Sequence, residues 1–245
     1  MINKTSRPSF REVVDLNNLT VTSLDDAGLQ FNTQKVGPMN FAGLRQANYG
    51  QDFRMPTVSE LIPLVYASLE NQDYDTAKNV IQTLRYYLLT GNTGTLYTSK
   101  GMFVQDNPEM KDEIIVMNEK TLEGKLGKTE ERGVTFSDDR SVRFTPYGFK
   151  TGLQKVSDLA ENSGVIALSG SEQGAEMLAK AFEHYGINSY FWSLSDVENS
   201  KIRMVDLGSD NFGSRSGIGA NYSEDDALWC SFGVRELEQG GFRLK

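Results

Sequence analysis

The C-terminal part of the chain, residues 190–235, constrains the fold most strongly. Large residues recur there at intervals, and glycine, serine, asparagine and aspartate fill the spaces between them. Aromatic side chains contribute large buried areas to a core, whereas small polar residues adapt readily to a ligand. The pattern therefore predicts strands whose large residues hold a fixed core and whose small residues are displayed. A β-rich segment with an aromatic core and no display is the simpler interpretation. The predicted anchors are Tyr190, Phe191, Trp192, Leu207, Phe212, Phe232 and Val234.

Chain length and charge limit the class of protein. The 245 residues allow one large domain or two small ones and are ample for a packed core. Acidic residues number 33 and basic residues 25, which gives a net charge of -8. Such a surface repels phosphate groups, so we expect neither nucleic acid nor an anionic membrane as a partner.

No segment of the sequence indicates insertion into a membrane. No stretch approaches the roughly 20 apolar residues of a membrane span, and the first residues lack the apolar run of a signal peptide. We therefore expect a soluble protein. Its location stays open between the cytoplasm and display on a surface through another protein.

One cysteine, Cys230, and one histidine, His184, restrict the available chemistry. A single cysteine cannot form an intramolecular disulfide bond, and the two residues are too few for a zinc site. His184 falls in the last turn of a predicted helix, away from its apolar stripe, where it would offset the negative end of the helix dipole. We therefore expect no catalytic residue, no cofactor and no metal ion, and we do not expect an enzyme.

Carboxylates in the C-terminal part leave an alternative open. Asp206, Asp210 and Glu224 could bind a hard cation, although their spacing does not match an EF-hand loop. The alternative function is a metal-dependent enzyme with an acidic site near these three residues. A subunit that mediates adhesion on a virion or a cell surface is a further alternative.

The clearest local signal lies at residues 53–61, which read FRMPTVSEL. Thr57 and Glu60 are three positions apart, as a capping box requires. In such a box each residue's side chain binds the backbone N–H of the other. The segment therefore predicts a helix over residues 58–70.

Apolar residues at helical spacing predict further helices. The second helix is expected over residues 74–89, with Asp73 as its N-cap and Gly91 as its end. A third helix is expected over residues 172–185, and a short one over residues 153–160.

The middle of the chain contains short β-prone runs. A hairpin is expected to turn at Asp138 and Asp139, and the apolar residues 165–168 are expected to form a strand. The charged stretch 120–132 is interpreted as a solvated connection. The other runs are residues 96–98, 102–104, 114–117, 134–136 and 142–145. Together these elements predict an α+β fold with short antiparallel strands, two to three helices and long loops.

Three motifs, in this order, resemble segments of one fold family. They are FRMPT with the glutamate at residue 60, FWSLS at residues 191–195 and FGVR at residues 232–235. Each resembles a segment of C-type lectin-fold domains of the formylglycine-generating-enzyme type. The resemblance implies a C-type lectin-like fold. Those enzymes use a redox pair of cysteines, and Cys230 has no partner, so their activity is not expected.

Within that fold, residues 190–236 resemble the variable region of a diversity-generating retroelement variable protein, of the archaeal type. The resemblance implies a single domain over residues 1–245, with N-terminal strands and loops over residues 1–50, a scaffold with insertions over residues 53–189, and then the variable region. It implies a ligand-binding module with a fixed scaffold and a varied surface. We expect this module to be a monomer and to bind an unknown partner, a protein or another macromolecule. The predicted ligand-binding residues are Arg203, Met204, Asp206, Gly208, Ser209, Asp210, Asn211, Ser214, Ser216, Ile218, Asn221, Leu228, Trp229 and Cys230.

At the end of this surface, the alternation of side chains along a strand conflicts with the exposure expected of the ligand-binding residues. It places Leu228 and Cys230 on the same face as Phe232 and Val234, which are predicted anchors. Either the first two residues are partly buried, or a bulge or loop precedes Phe232. Trp229 lies in the middle of this stretch and is the expected hot spot for binding.

Overall fold

A computed structural model describes residues 11–12, 18–22, 28–184, 188–209, 215–222 and 229–237. These residues form fifteen strands and seven helices. The helices are α1 (Phe41–Gln46), α2 (Val58–Glu70), α3 (Asp75–Tyr86), α4 (Glu119–Glu123), α5 (Val156–Glu161), α6 (Ser163–Ser169) and α7 (Glu172–His184). The strands are β1 (Arg11–Glu12), β2 (Asn18–Thr22), β3 (Gly28–Met39), β4 (Leu88–Tyr97), β5 (Gly101–Asp106), β6 (Glu109–Lys111), β7 (Ile114–Val116), β8 (Leu126–Glu131), β9 (Val134–Ser137), β10 (Val142–Pro146), β11 (Gly152–Gln154), β12 (Asn188–Ser193), β13 (Lys201–Ser209), β14 (Arg215–Tyr222) and β15 (Trp229–Glu236).

Thirteen of the strands form one sheet around β4. The main path runs β1-β2-β3-β15-β4-β13-β14-β12-β11, and β5, β10, β9 and β8 branch from β4. The C-terminal strand β15 lies inside the sheet, antiparallel to β3 and parallel to the start of β4. The β12–β14 pair is also parallel, so the antiparallel arrangement expected from the sequence holds for most pairs but not for all. The hairpin of β6 and β7 forms a separate two-stranded sheet.

The predicted capping box is present at the start of α2. The Glu60 N–H donates to Thr57 Oγ1 at 3.3 Å, and the Thr57 N–H donates to Glu60 Oε2 at 2.7 Å. The helix extends over Val58–Glu70, as the sequence predicts. Local chemistry therefore determines where this helix begins.

Arg54 joins this helix to the C-terminal strand. The backbone N–H of Arg54 donates to the Val234 carbonyl at 2.9 Å, and the Val234 N–H donates back at 2.8 Å. The Arg54 guanidinium binds Glu60 through two hydrogen bonds, of 2.6 and 2.9 Å, and Glu236 through one of 3.2 Å. Two of the three motifs that carry the family resemblance are thus in direct contact.

The second helix differs from its prediction at both ends. It begins at Asp75, after Tyr74 as N-cap, so the expected cap at Asp73 is wrong. It ends at Tyr86, and Gly91 lies inside strand β4 instead of ending a helix. A Cβ atom at Gly91 would lie 2.5 Å from the Thr57 carbonyl carbon and from the Val58 nitrogen. Glycine is needed there because β4 passes directly beside the start of α2.

Three other local predictions are corrected. Residues 165–168 belong to helix α6. Every residue of this helix from Gly164 to Ser169 is buried, so the apolar run shows no helical period. The stretch 120–132 contains α4 and β8 instead of a plain connection. Residues 153–154 lie in β11, and the helix that follows covers Val156–Glu161. The mixed α+β class and the hairpin through Asp138 and Asp139 are confirmed. Seven helices, more than the expected two to three, lie in the described ranges.

Of the three apolar clusters among the described residues, the two largest lie on the two faces of the sheet. The larger one packs α2, α6 and α7 against the sheet and contains the anchors Phe191, Leu207, Phe232 and Val234. The second cluster surrounds Trp229 and is covered by α1 and by the β6–β7 hairpin. Neighbouring residues of β13 face different clusters: Val205 the larger and Met204 the second. Both faces of the central strands are therefore covered.

We expect Gly91→Ala to destabilise the protein strongly. The added methyl group would overlap backbone atoms that cannot rotate away, and overpacking of this kind costs about 1–3 kcal/mol or more. The control is Gly124→Ala, because a Cβ atom at Gly124 would lie at the ordinary contact distance of 3.5 Å from the Lys120 oxygen. Urea unfolding measures both variants, and equal stability of the two would contradict the close approach of β4 to α2.

Candidate ligand-binding face

Strand register divides the C-terminal strands into core rows and open rows. Phe191, Ile218 and Leu207 stand side by side on β12, β14 and β13, and all three are fully buried. The rows on either side point to the other face of the sheet, because successive side chains alternate. One of these rows contains Leu153, Tyr190, Gly217 and Gly208, and the other contains Trp192, Gly219 and Asp206.

The name open face is given to the side chains of Leu153, Tyr190 and Trp192, which are exposed or half-buried, together with the buried glycines Gly217 and Gly219 beside them. It also includes exposed Arg215, which lies on the same face of β14 as the two glycines. The Tyr190 and Trp192 rings are half-buried and lie 4.7 Å apart at an angle of 33°. Leu153 beside them is 55% exposed. Large apolar surface therefore faces solvent on a rigid sheet.

Glycines form the floor beneath the two rings. A Cβ atom at Gly217 would lie 2.6 Å from Trp192 Cζ3 and would overlap the Tyr190 carbonyl oxygen. A Cβ atom at Gly219 would lie 3.3 Å from Trp192 Cβ and 3.2 Å from Asp206 Oδ1. The aromatic pair can occupy this position only because β14 has no side chains there.

A cation borders the aromatic pair. The guanidinium of exposed Arg215 lies 5.3 Å from the centre of the Tyr190 ring, within the range of a cation–π contact. Tyr222, at the other end of β14, is 39% exposed. Aromatic residues and arginine are the types that most often dominate binding energy at protein interfaces. The open face therefore has the composition of a binding surface.

The structure corrects much of the predicted ligand-binding set. Exposure is wrong for Met204, Asp206, Gly208, Ser216, Ile218, Trp229 and Cys230, which are all buried. The physical reason is that β13, β14 and β15 each have a neighbouring strand on both edges. Both faces of β13 and β15 are covered, and Ser216 and Ile218 lie on the face of β14 that packs against the larger cluster. Arg203 is half-buried, and its guanidinium donates to the Ile202 carbonyl at 2.7 Å.

Other predicted residues cannot be placed in full. Ser209 and Asn221 lie in the last residues of β13 and β14. Asp210, Asn211, Ser214 and Leu228, and the expected anchor Phe212, lie outside the described residues. Their contact with a ligand stays a prediction.

Trp229 is a core residue and not an exposed hot spot. Its ring is fully buried and meets Phe41 edge-on, with centroids 6.0 Å apart at 88°. The conflict between alternation and display is resolved by two features together. Cys230 is buried, and the register of β15 shifts between Trp229 and Ser231 and again before Gly233. Bulges of this kind reorient side chains locally.

Of the three carboxylates of the alternative acidic site, only Asp206 lies among the described residues. Asp206 is buried opposite Gly219, and Asp210 and Glu224 lie outside the described residues. Within the described ranges no three His, Cys, Asp or Glu residues come together as a metal site would require. The backbone of His184 ends α7, one residue earlier than predicted, and its side chain is not described. Among the helices described, none has the length and apolar character to span a membrane.

The sequence interpretation assigned Tyr190 and Trp192 to the core and did not include Arg215. The signal that could have separated them is the period of two over Tyr190, Phe191 and Trp192, since Phe191 points to the face opposite that of the other two residues. The glycine pair Gly217 and Gly219 carries the same period. Together these signals mark one open face of two neighbouring strands.

Comparison with known proteins gives one structural relative. No family model matches the chain, and no curated protein matches it in sequence. The fold is similar to a solved structure described as "Accommodation of massive sequence variation in Nanoarchaeota by the C-type lectin fold". The TM-score is 0.55 at 18% sequence identity, over 82% of this chain and 97% of that chain. The chain therefore has a C-type lectin fold, as the three motifs predict.

The environment of Cys230 gives a prediction for its thiol. Burial raises the pKa of the Cys230 thiol to about 11, so the folded protein favours the protonated form. This preference stabilises the fold below the usual thiol pKa and is lost as pH rises towards about 11. At about pH 8 we expect a disulfide reagent to modify the native protein at least about a hundredfold more slowly than the urea-unfolded protein. Similar rates in the two states would contradict the burial.

Proposed function

We propose that the chain is a non-enzymatic ligand-binding protein that recognises a protein partner through the open face and the residues around it. The proposal rests on the aromatic pair Tyr190 and Trp192, which is half-exposed and packs over Gly217 and Gly219. The pair is preorganised, so binding costs little additional ordering of side chains. Trp192 replaces Trp229 as the proposed hot spot.

We further propose that a retroelement diversifies the surface around this anchor. The structural relative is described as accommodating massive sequence variation on the C-type lectin fold. In this chain, Arg203, Arg215 and Tyr222 are accessible positions near the ends of β13 and β14. Residues 210–214 join β13 to β14, and residues 223–228 join β14 to β15. These positions, with Ser209 and Asn221, form the proposed variable set.

The chemistry of the face favours a protein over other partners. A flat aromatic surface beside an arginine offers apolar area and one charge-assisted donor, as protein interfaces do. The net charge of -8 disfavours nucleic acid, for which the phosphate backbone supplies most of the affinity.

Two displayed libraries test the division between scaffold and variable surface. The first randomises Asp210, Asn211, Ser214, Arg215 and Asn221, and we expect stability to change by about 0.5 kcal/mol or less per position. The second randomises Ser216, Ile218, Trp229 and Cys230. Because these residues are buried, we expect the free energy of unfolding to fall by about 2–5 kcal/mol. Protease resistance measures folding, and selection against unrelated proteins such as lysozyme measures binding.

The first library should remain folded and yield binders. If its members unfold as often as those of the second library, the proposed variable set belongs to the core. If they fold and no binder is selected, the surface does not act as a binding face.

The role of the anchor is tested in the selected binders. Tyr190→Ala should weaken binding by about tenfold or more, because it removes half of the aromatic pair. Tyr86→Ala is the matched control, since Tyr86 is 71% exposed on α3 and lies outside the open face. Thermal unfolding verifies that both variants fold, and equal affinities of the two variants would contradict the anchor.

Retroelement diversification has a separate test in the surrounding genome. We expect a reverse transcriptase gene next to a near-copy of the segment that codes for residues 190–235, with differences at adenines. A genomic neighbourhood with neither feature would contradict diversification. Binding through the open face would still be tested by the library experiment.

A further inference from the structure

The hairpin of β8 and β9 ends one branch of the large sheet. β8 pairs with β9 along one edge, and no described strand pairs with its other edge. Lys128, Thr129 and Glu130, in the middle of this strand, are all exposed. An unpaired strand edge presents backbone N–H and C=O groups that another strand can bind. The free edge of β8 is therefore open to pairing with a further strand.

The turn of the hairpin determines which backbone groups lie on this edge. Residues 132–133, with φ of 45° and 80°, form a two-residue turn directly after Glu131. The residues that flank such a turn exchange hydrogen bonds, and backbone groups along each strand then alternate between the paired and the free edge. Thr129 therefore binds β9, whereas the N–H and C=O groups of its neighbours Lys128 and Glu130 point to the free edge. Lys128 also has no partner residue on β9, because the register shifts before Thr129.

The side chains of these two neighbours carry charges that the chain does not use. The adjacent charges, on Glu131 and Arg132, form ion pairs within the chain at 2.7 and 3.4 Å. Neither Lys128 nor Glu130 forms an ion pair with any other residue that the structure describes. Two unpaired charges of opposite sign therefore flank Thr129 on the free edge.

The order of these charges makes the edge complementary to itself. In an antiparallel pair of two copies centred on Thr129, Lys128 of each copy lies directly opposite Glu130 of the other. Opposite charges that face each other across two strands stabilise the pair, and like charges destabilise it. Centring the pair on Lys128 or on Glu130 would place two like charges opposite each other. Charge therefore favours the register centred on Thr129.

We propose that a second copy of this chain pairs with the free edge of β8 and forms a two-fold symmetric dimer. Lys128 of each copy exchanges two backbone hydrogen bonds with Glu130 of the other, so four hydrogen bonds and two ion pairs join the copies. Both copies use the same patch, as in every two-fold contact. The paired segment is short, which places the dimer among the weak interfaces that bury less than about 1,200 Å². A dimer of this kind replaces the monomer expected from the sequence.

The pairing leaves the open face free. β8 ends the branch that runs through β5, β10 and β9, whereas the open face lies on β11, β12 and β14 at one end of the main path. A dimer therefore carries two open faces, and a partner that repeats its binding surface would engage both. The dimer contact does not depend on the proposed function, and its failure would leave binding by a single open face untouched.

Self-association of the full chain tests the dimer. Sedimentation velocity follows the average mass between about 10 µM and about 1 mM protein, the range in which a weak dimer forms. An ionic strength of about 0.15 M screens long-range attraction between the chains. We expect the mass to rise from that of a monomer towards that of a dimer and no further, because a two-fold contact closes on itself. A constant monomer mass over this range would overturn the proposal.

Charge reversal locates the contact. Lys128→Glu and Glu130→Lys each place like charges opposite each other in the dimer, and each should weaken self-association by about tenfold or more. An equimolar mixture of the two variants restores both ion pairs, because one copy then carries two glutamates on the edge and the other two lysines. The mixture should therefore associate as strongly as the wild-type protein. Undiminished self-association of the single variants, or no gain on mixing, would overturn the contact.

A charge pair on another surface is the control. Lys180 and Glu183 are exposed on α7, away from β8. Lys180→Glu and Glu183→Lys change the net charge of the chain by the same amounts as the two β8 variants. Each should self-associate like the wild-type protein, and mixing them should change the affinity by less than about twofold. An equal gain on mixing for both pairs would indicate general attraction and would overturn the site. Thermal unfolding verifies that all four variants fold.

Hydrogen exchange distinguishes strand pairing from a contact of side chains alone. The backbone N–H groups of Lys128 and Glu130 face solvent in the monomer and bind the second copy in the dimer. Their exchange should slow by about twofold at the concentration where half of the chains are paired, because only the unpaired half exchanges. The N–H group of Thr129, which binds β9 in both states, is the internal control. Dimer formation without slower exchange at Lys128 and Glu130 would overturn the strand pairing.

Discussion

The backbone contact between Arg54 and Val234 joins the segment that leads into helix α2 to the C-terminal strand β15, and the rest of the structure depends on this junction. It closes a long loop of chain, which costs conformational entropy that local contacts must offset. The Arg54 guanidinium helps to offset that cost by binding Glu60, the partner of Thr57 in the capping box of α2, and Glu236, the last residue of β15. The start of a helix and the end of the sheet therefore stabilise each other. The C-terminal strands are held in place through β15 and β4, so the open face lies on a scaffold that residues far upstream in the chain help to build.

Features determined by a few neighbouring residues were predictable from the sequence. Thr57 and Glu60 place the start of α2 because both hydrogen bonds of the capping box lie within four residues. The apolar run in α6 predicts a strand, because burial on all sides removes the polar positions that reveal a helical period. Gly91 predicts the end of a helix from its local sequence, since no local signal shows that β4 passes beside Thr57. Errors arise where the environment of a residue comes from distant parts of the chain.

The same limit applies to the candidate site. Small polar residues such as Ser216 and Ser231 were compatible with a displayed surface, yet both are buried, and Ser231 donates to the Thr90 carbonyl at 2.8 Å. Their burial follows from the central positions of β14 and β15, which depend on strand order and not on composition. The period of two around Phe191 was visible in the sequence. Only the contact of that residue with the helical layer determines which face of the strand is open.

The glycine floor restricts how this surface can vary. Gly217 must remain a glycine wherever Trp192 lies over it, because a Cβ atom would come within 2.6 Å of the ring. Under the proposed diversification, variation would therefore be confined to residues beside the aromatic pair, and the pair itself would be common to every variant. A constant anchor would supply apolar binding energy to different partners, while changing neighbours would select among them by adding or removing complementary groups. Affinity and specificity would then come from different residues of one face, so sequence change could alter the partner without affecting the contacts that hold the fold.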